Sequence, residues 1–113
     1  MRVLVCGGRN FKLQSFVFET LDALDAEISI SFLIEGGAGG ADKLARDWAQ
    51  SRQISFETYF ADWKMYGRAA GPIRNATMLR VGRPDLVVAF LGGMGTADMV
   101  RQAEASGVRV RHA

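Results

Sequence analysis

The segment Asp85-Leu86-Val87-Val88-Ala89-Phe90-Leu91-Gly92-Gly93-Met94-Gly95-Thr96-Ala97-Asp98 constrains the fold more than any other part of this chain. An apolar run of single-strand length breaks into glycines and then opens a helix, with Thr96 near its first turn. A strand with no polar face, followed directly by a helix, reads as half of a βαβ unit in a parallel sheet. The same passage leaves backbone N–H groups unpaired at a helix start, with no side chains blocking approach. Those orphan donors and the positive end of the helix dipole favour a phosphate or carboxylate there.

The rest of the chain repeats the alternation. Val3–Cys6, Ser31–Ile34, Leu86–Phe90 and Val108–Val110 read as buried strands, each short and bounded by glycine or polar residues. Ser55–Phe60 reads as an edge strand, with apolar Phe56 beside polar Glu57, then Tyr59 and Phe60. Helical stripes fall between them over Gln14–Ile28, Ala41–Gln50, Ile73–Val81 after Gly71-Pro72, and Thr96–Ser106 with Gly107 as its C′ residue. Ala61–Gly71 fits neither period and is expected to be a loop or irregular helix over the sheet's rim. Right-handed crossovers then give an α/β fold: a small Rossmann-like three-layer sandwich on a mainly parallel five-stranded sheet, with strand order 3-2-1-4-5.

Size and charge narrow the class. A chain of 113 residues is expected to form one domain, residues 1–113. No apolar run approaches the roughly 20 residues a bilayer demands, and the first residues do not resemble a signal peptide, so a cytoplasmic protein with no membrane partner is expected. Cys6 is the single cysteine and reads as a small buried residue. A formal charge of +2 is too slight to argue for nucleic acid, although the basic residues are mainly Arg, the better bidentate partner for phosphate. No His/Cys cluster suggests a metal, and no cofactor is expected beyond a nucleotide or nucleotide-derived ligand.

In a parallel sheet the loops after the strands gather at one edge, and three of them carry glycines. They are Gly7-Gly8-Arg9-Asn10, Gly36-Gly37-Ala38-Gly39-Gly40-Ala41-Asp42, and Gly92-Gly93-Met94-Gly95-Thr96. Strand order 3-2-1-4-5 would line one crevice with all three. None is a Walker A loop, since Lys43 follows Asp42 and no Ser or Thr comes next, and the first lacks the later glycine of a dinucleotide fingerprint.

These loops, with Ala45 and Trp48-Ala49 after the second and the segment Ala70-Gly71-Pro72-Ile73-Arg74-Asn75 with Met78, resemble the YspA-like branch of the SLOG superfamily. That superfamily includes the LOG phosphoribohydrolases and the DprA single-stranded DNA binders. The resemblance implies a Rossmann-like fold that binds a nucleotide or a nucleotide-derived ligand, as sensor or processor. The LOG enzymes cleave the bond between base and ribose 5′-monophosphate with the signature P-G-G-x-G-T-x-x-E. Here Leu91 replaces the proline and Met99 stands in the glutamate's place. A thioether can neither take a proton nor stabilise an oxocarbenium ion as a carboxylate does.

The candidate ligand-binding residues are therefore Gly7, Gly8, Arg9, Gly36, Gly37, Gly39, Arg74, Asn75, Gly92, Gly93, Met94, Gly95 and Thr96. Arg74, placed in the first turn of a helix where a cation opposes the dipole, is favoured as an anion ligand. Thr96 is expected to cap its helix and donate to a phosphate, and Asp42 to cap the helix beginning near Ala41. If there is catalysis, Glu35 or Asp98 would supply the carboxylate and Arg74 the phosphate or transition-state contact. Trp63 and Tyr66 either stack on a base or cover the core's rim, Trp48 belongs to the core, and His112 is expected to be disordered or exposed.

Three functions follow. The first is a binder of a small nucleotide ligand. The second is a nucleoside 5′-monophosphate phosphoribohydrolase. The third is a DprA-like nucleic-acid binder, disfavoured because no basic stripe interleaves with aromatics. A homodimer is the expected assembly, with Phe11, Phe16 or Trp63 available for the contact.

Overall fold

Val3, Leu4 and Val5 send apolar side chains alternately to both faces of their strand, and all three are buried. A strand without a polar face must lie inside a covered sheet, and this one is the central strand. The computed structural model describes residues 1–113. It contains β1 (Arg2–Cys6), α1 (Gln14–Ile28), β2 (Phe32–Glu35), α2 (Ala41–Ser51), β3 (Ser55–Thr58) and α3 (Trp63–Tyr66). A 3₁₀ turn (Gly67–Ala69), α4 (Ala70–Gly82), β4 (Leu86–Ala89), α5 (Met94–Ala105) and β5 (Arg109–His112) complete the chain. The five strands order as β3-β2-β1-β4-β5, every neighbouring pair parallel, as the sequence predicts.

Two apolar layers sandwich the sheet. On one face α1 and α2 bring Val17, Leu21, Leu24, Ala45 and Trp48 against Val3, Val5, Leu33 and Val88. On the other, α4 and α5 bring Met78, Met99 and Ala103 against Leu4, Cys6, Ile34 and Val87. Burying each Val, Leu or Met of this kind contributes about 1.5–3 kcal/mol. Trp48 is core, as expected, and its indole N–H donates to Asp22 Oδ1 at 2.8 Å, tying α2 to α1. Cys6 is buried at the end of β1, and burial pushes its thiol up to about 12, with Asp42 adding to the rise and Arg74 opposing it. No helix is long and apolar enough to cross a membrane.

Four local expectations change. Helix α4 begins at Ala70 rather than Ile73, because Pro72 falls within its first turn, where the missing N–H costs nothing. Helix α5 begins at Met94 with Gly93 at the N-cap and no side-chain cap, so Thr96 is its third residue and does not cap it. Strand β3 stops at Thr58, leaving Phe60 outside the sheet. Strand β5 runs later than Val108–Val110 and includes His112, which pairs with Ala89. An edge strand of alternating Arg and Val buries little, so apolar runs mark its ends poorly. Ala61–Gly71 is indeed irregular helix: α3, the 3₁₀ turn and the first residues of α4.

Candidate functional site

Parallel strands all end at one edge, and the three glycine loops meet there. Gly8 is the hinge of the junction: its N–H donates to Leu91 O at 2.9 Å, while its carbonyl accepts from Ala41 N at 3.1 Å. Close approach explains several of the glycines. A Cβ on Gly7 would come within 2.6 Å of Ala41 Cβ, and one on Gly92 would overlap the Thr96 hydroxyl and approach Gly8 N to 2.7 Å. Gly40 adopts φ 64°, and a Cβ there would run into the carbonyl of Gly8. Gly93 and Gly95 are different: nothing lies within 4 Å of a Cβ on either. Their lack of side chains leaves open space rather than relieving a packing clash.

The backbone donors divide the loops. In the second loop, Glu35 Oε1 accepts from Gly37 N at 2.7 Å and Asp42 Oδ2 accepts from Ala38 N at 3.2 Å, so carboxylates occupy two of its amides, and Ala41 N is taken by the Gly8 carbonyl. In the third loop, the N–H groups from Gly92 to Thr96 have no acceptor in the protein. Met94, in the middle of that stretch, is 90% exposed. Among the three glycine loops, the longest run of N–H groups without an acceptor therefore lies at the start of α5.

Arg74 and Asn75 join the two loops. The Arg74 guanidinium donates through Nη1 to the Gly36 carbonyl and through Nε to Asn75 Oδ1 at 3.0 Å. Asn75, buried, donates to Gly95 O at 3.2 Å and to Asp98 Oδ2 at 2.9 Å. Asp98 also accepts from Gln102 Nε2 at 2.8 Å. Arg74 lies in the second turn of α4, not the first, so the dipole does not set its role. Its guanidinium has no carboxylate within ion-pair distance and spends two donors on a carbonyl and an amide oxygen. Arg9, in the first glycine loop, is exposed and also without a side-chain partner.

The carboxylates take other places than sequence reasoning gave them. Glu35 is fully buried, with Oε1 on Gly37 N, Oε2 accepting from the Thr58 hydroxyl, and Arg46 at 3.8 Å. It braces the second loop from beneath and does not open into the crevice. Asp42 is the second residue of α2, whose N-cap is Gly40, and its side chain turns back to the loop instead of capping. Burial pushes Asp42 up to about 6, with the Glu35 charge adding to the rise and hydrogen bonds from Ala38 and Gly36 and the charge of Arg74 opposing it. Asp98 is oriented by Asn75 and Gln102. Met99, one residue on and about 100° around the helix, faces the core between α5 and the sheet.

The raised Asp42 gives a testable pH dependence. Between the ordinary carboxyl value of 3.8 and about 6 the folded chain holds this proton and the unfolded chain does not. Stability from this group therefore falls as pH rises through that window and stays lower above it. Asp42→Asn removes the effect, so the variant should gain on the wild type by roughly 2 kcal/mol between pH 4 and pH 7. Urea unfolding at the two pH values measures it, and an equal difference at both would refute the assignment.

One feature of the edge escaped the sequence. Thr58, Phe60, Asp62, Tyr66, Ile73 and Arg74 line a cleft of about 390 Å³ beside the second glycine loop. The Phe60 ring rests on the backbone of Gly37, where a Cβ would come within 2.7 Å of its Cδ1. Trp63 covers Gly71 of α4 with its outer ring edge.

A parallel sheet in this order, with glycine loops and free helix-start amides at its C-terminal edge, defines a Rossmann-like α/β fold. The profile of the YspA, cpYpsA-related SLOG family matches residues 1–66, and the chain belongs to that family. It is also 38% identical over 117 residues to the gene 61 protein of Mycobacterium phage D29, covering 96% of this chain and 93% of the relative.

Proposed function

We propose that this protein binds a nucleotide or nucleotide-derived ligand, with the ligand's phosphate on the amides at the start of α5. The observation that carries this reading is the unpartnered run of N–H groups from Gly92 to Thr96, opened to solvent by Gly93 and Gly95. Free amides and helix dipole act together on an anion there. Arg74 supplies the second charge, held by Gly36 and by an amide that also grips the first turn of α5. Family membership supports a nucleotide-related role.

Binding without cleavage is the favoured form. Met99 occupies the position of the LOG glutamate and packs into the core, while Asp98 is committed to Asn75 and Gln102. The helix thus offers no free carboxylate to assist departure of a base. The phosphoribohydrolase reading would need Asp98 to exchange these partners for substrate.

Isothermal titration of the protein with inorganic phosphate and with nucleoside 5′-monophosphates tests the proposal. Saturable binding is expected, weakened about tenfold or more in Arg74→Gln, as the loss of a charge-assisted contact implies. Release of free base from any monophosphate would replace the binder with the hydrolase. Absence of binding to every compound, or affinity indifferent to Arg74→Gln, would reject the site.

A further inference from the structure

The cleft between the end of β3, α3 and α4 has chemistry that the phosphate cradle does not use. Phe60 is 74% exposed although its ring lies against the backbone of Gly37, so one side of it is seated and the rest is bare. Tyr66 and Ile73, both exposed, add apolar wall to the same cleft. An aromatic ring held on rigid backbone and uncovered by its own protein is a stacking platform.

The polar groups of the cleft sort into spent and available. The Thr58 hydroxyl is given to Glu35, and the Thr77 hydroxyl donates to Ile73 O at 3.1 Å. Asp62 uses Oδ1 to hold Met65 N at 3.0 Å and keeps its other oxygen as an acceptor. Arg74 retains guanidinium donors beyond the two it uses. Arg74 belongs both to the wall of this cleft and to the hydrogen-bonded bridge leading through Asn75 to Gly95. Arg74 therefore stands between the cleft and the start of α5, a cation within reach of both.

We infer that this cleft receives the aromatic base of the nucleotide, stacked on Phe60, while the phosphate occupies the start of α5. This rests on the phosphate reading above. The occupant is a planar heterocycle attached to an anionic group: the bare ring meets the heterocycle, Asp62 accepts from a ring N–H or amino group, and Arg74 meets the anion. A free sugar phosphate would fill only the cradle.

The test compares ribose 5-phosphate with AMP, GMP, CMP and UMP by isothermal titration, in wild type, Phe60→Ala and Phe60→Tyr. At least one nucleotide should bind about five- to a hundredfold tighter than ribose 5-phosphate, the range of a base stacked on an aromatic side chain. Phe60→Ala should bring that nucleotide close to ribose 5-phosphate without changing ribose 5-phosphate itself, and Phe60→Tyr should keep the preference. Folding is not at risk, because Phe60 is an exposed side chain. Tight ribose 5-phosphate binding with no nucleotide preference, or a preference that survives Phe60→Ala, overturns the cleft assignment and leaves the cradle intact. No binding of any of the five compounds overturns both.

Discussion

Gly40→Ala will destabilise the fold by about 3 kcal/mol or more, lowering the melting temperature by roughly 10–20 °C. Two independent costs meet at this position. Its φ of 64° is one that a side chain disfavours, and a Cβ would overlap the carbonyl of Gly8 and press on the backbone of Arg9. Backbone cannot rotate away as a side chain tip does. Gly8 is fixed in turn by its bonds to Leu91 and Ala41, so a displaced Gly8 loosens all three loops. Gly95→Ala is the matching control. Its Cβ meets nothing, it lies inside α5, and alanine there should raise stability by about 0.5–1 kcal/mol. Thermal melts of the two variants check the contrast. Equal effects would mean that the glycines serve one generic turn role, and that the loop junction is not rigid.

That contrast also shows where sequence reading ran out. The order of the sheet was legible because each βα unit announces itself: apolar strand, glycine break, amphipathic helix. Handedness then leaves few arrangements. Convergence of the glycine loops followed from the order. The purpose of each glycine did not, since Gly40 and Gly95 look alike in sequence and differ only in what stands opposite. The fate of the carboxylates was hidden for the same reason. Glu35 and Asp42 flank a glycine loop, and only the folded backbone shows that they take two of its amides. The bridge from Gly36 through Arg74 and Asn75 to Gly95 spans three segments far apart in the chain, and no local pattern encodes it. Phe60 was hidden by its neighbours: the alternation of Ser55–Phe60 reads as strand to the end, yet pairing stops at Thr58. What a motif says about chemistry is local, and what a site does depends on partners that are not.

Gly93→Val should abolish tight ligand binding while leaving the protein folded, at a cost of about 1 kcal/mol for placing valine at an N-cap. The N-cap residue of α5 has φ −100°, outside the left-handed region, and the space around its Cβ is empty, so valine enters without clash. The same empty space is the approach to the free amides. A branched side chain there denies an anion at least two of its donors. With charge-assisted bonds contributing about 1.5–3 kcal/mol each, affinity for a nucleoside monophosphate should fall at least about a hundredfold. Gly93→Ala, with one methyl instead of three carbons, should lose less. The measurement is titration of both variants beside a melt that confirms their folding. A folded Gly93→Val protein that binds nucleotide like wild type would mean the phosphate sits elsewhere, for then neither the free amides nor the open glycines contribute to holding it. A graded loss from alanine to valine in folded variants would instead tie affinity to the approach over one residue, which only a ligand seated on the start of α5 requires.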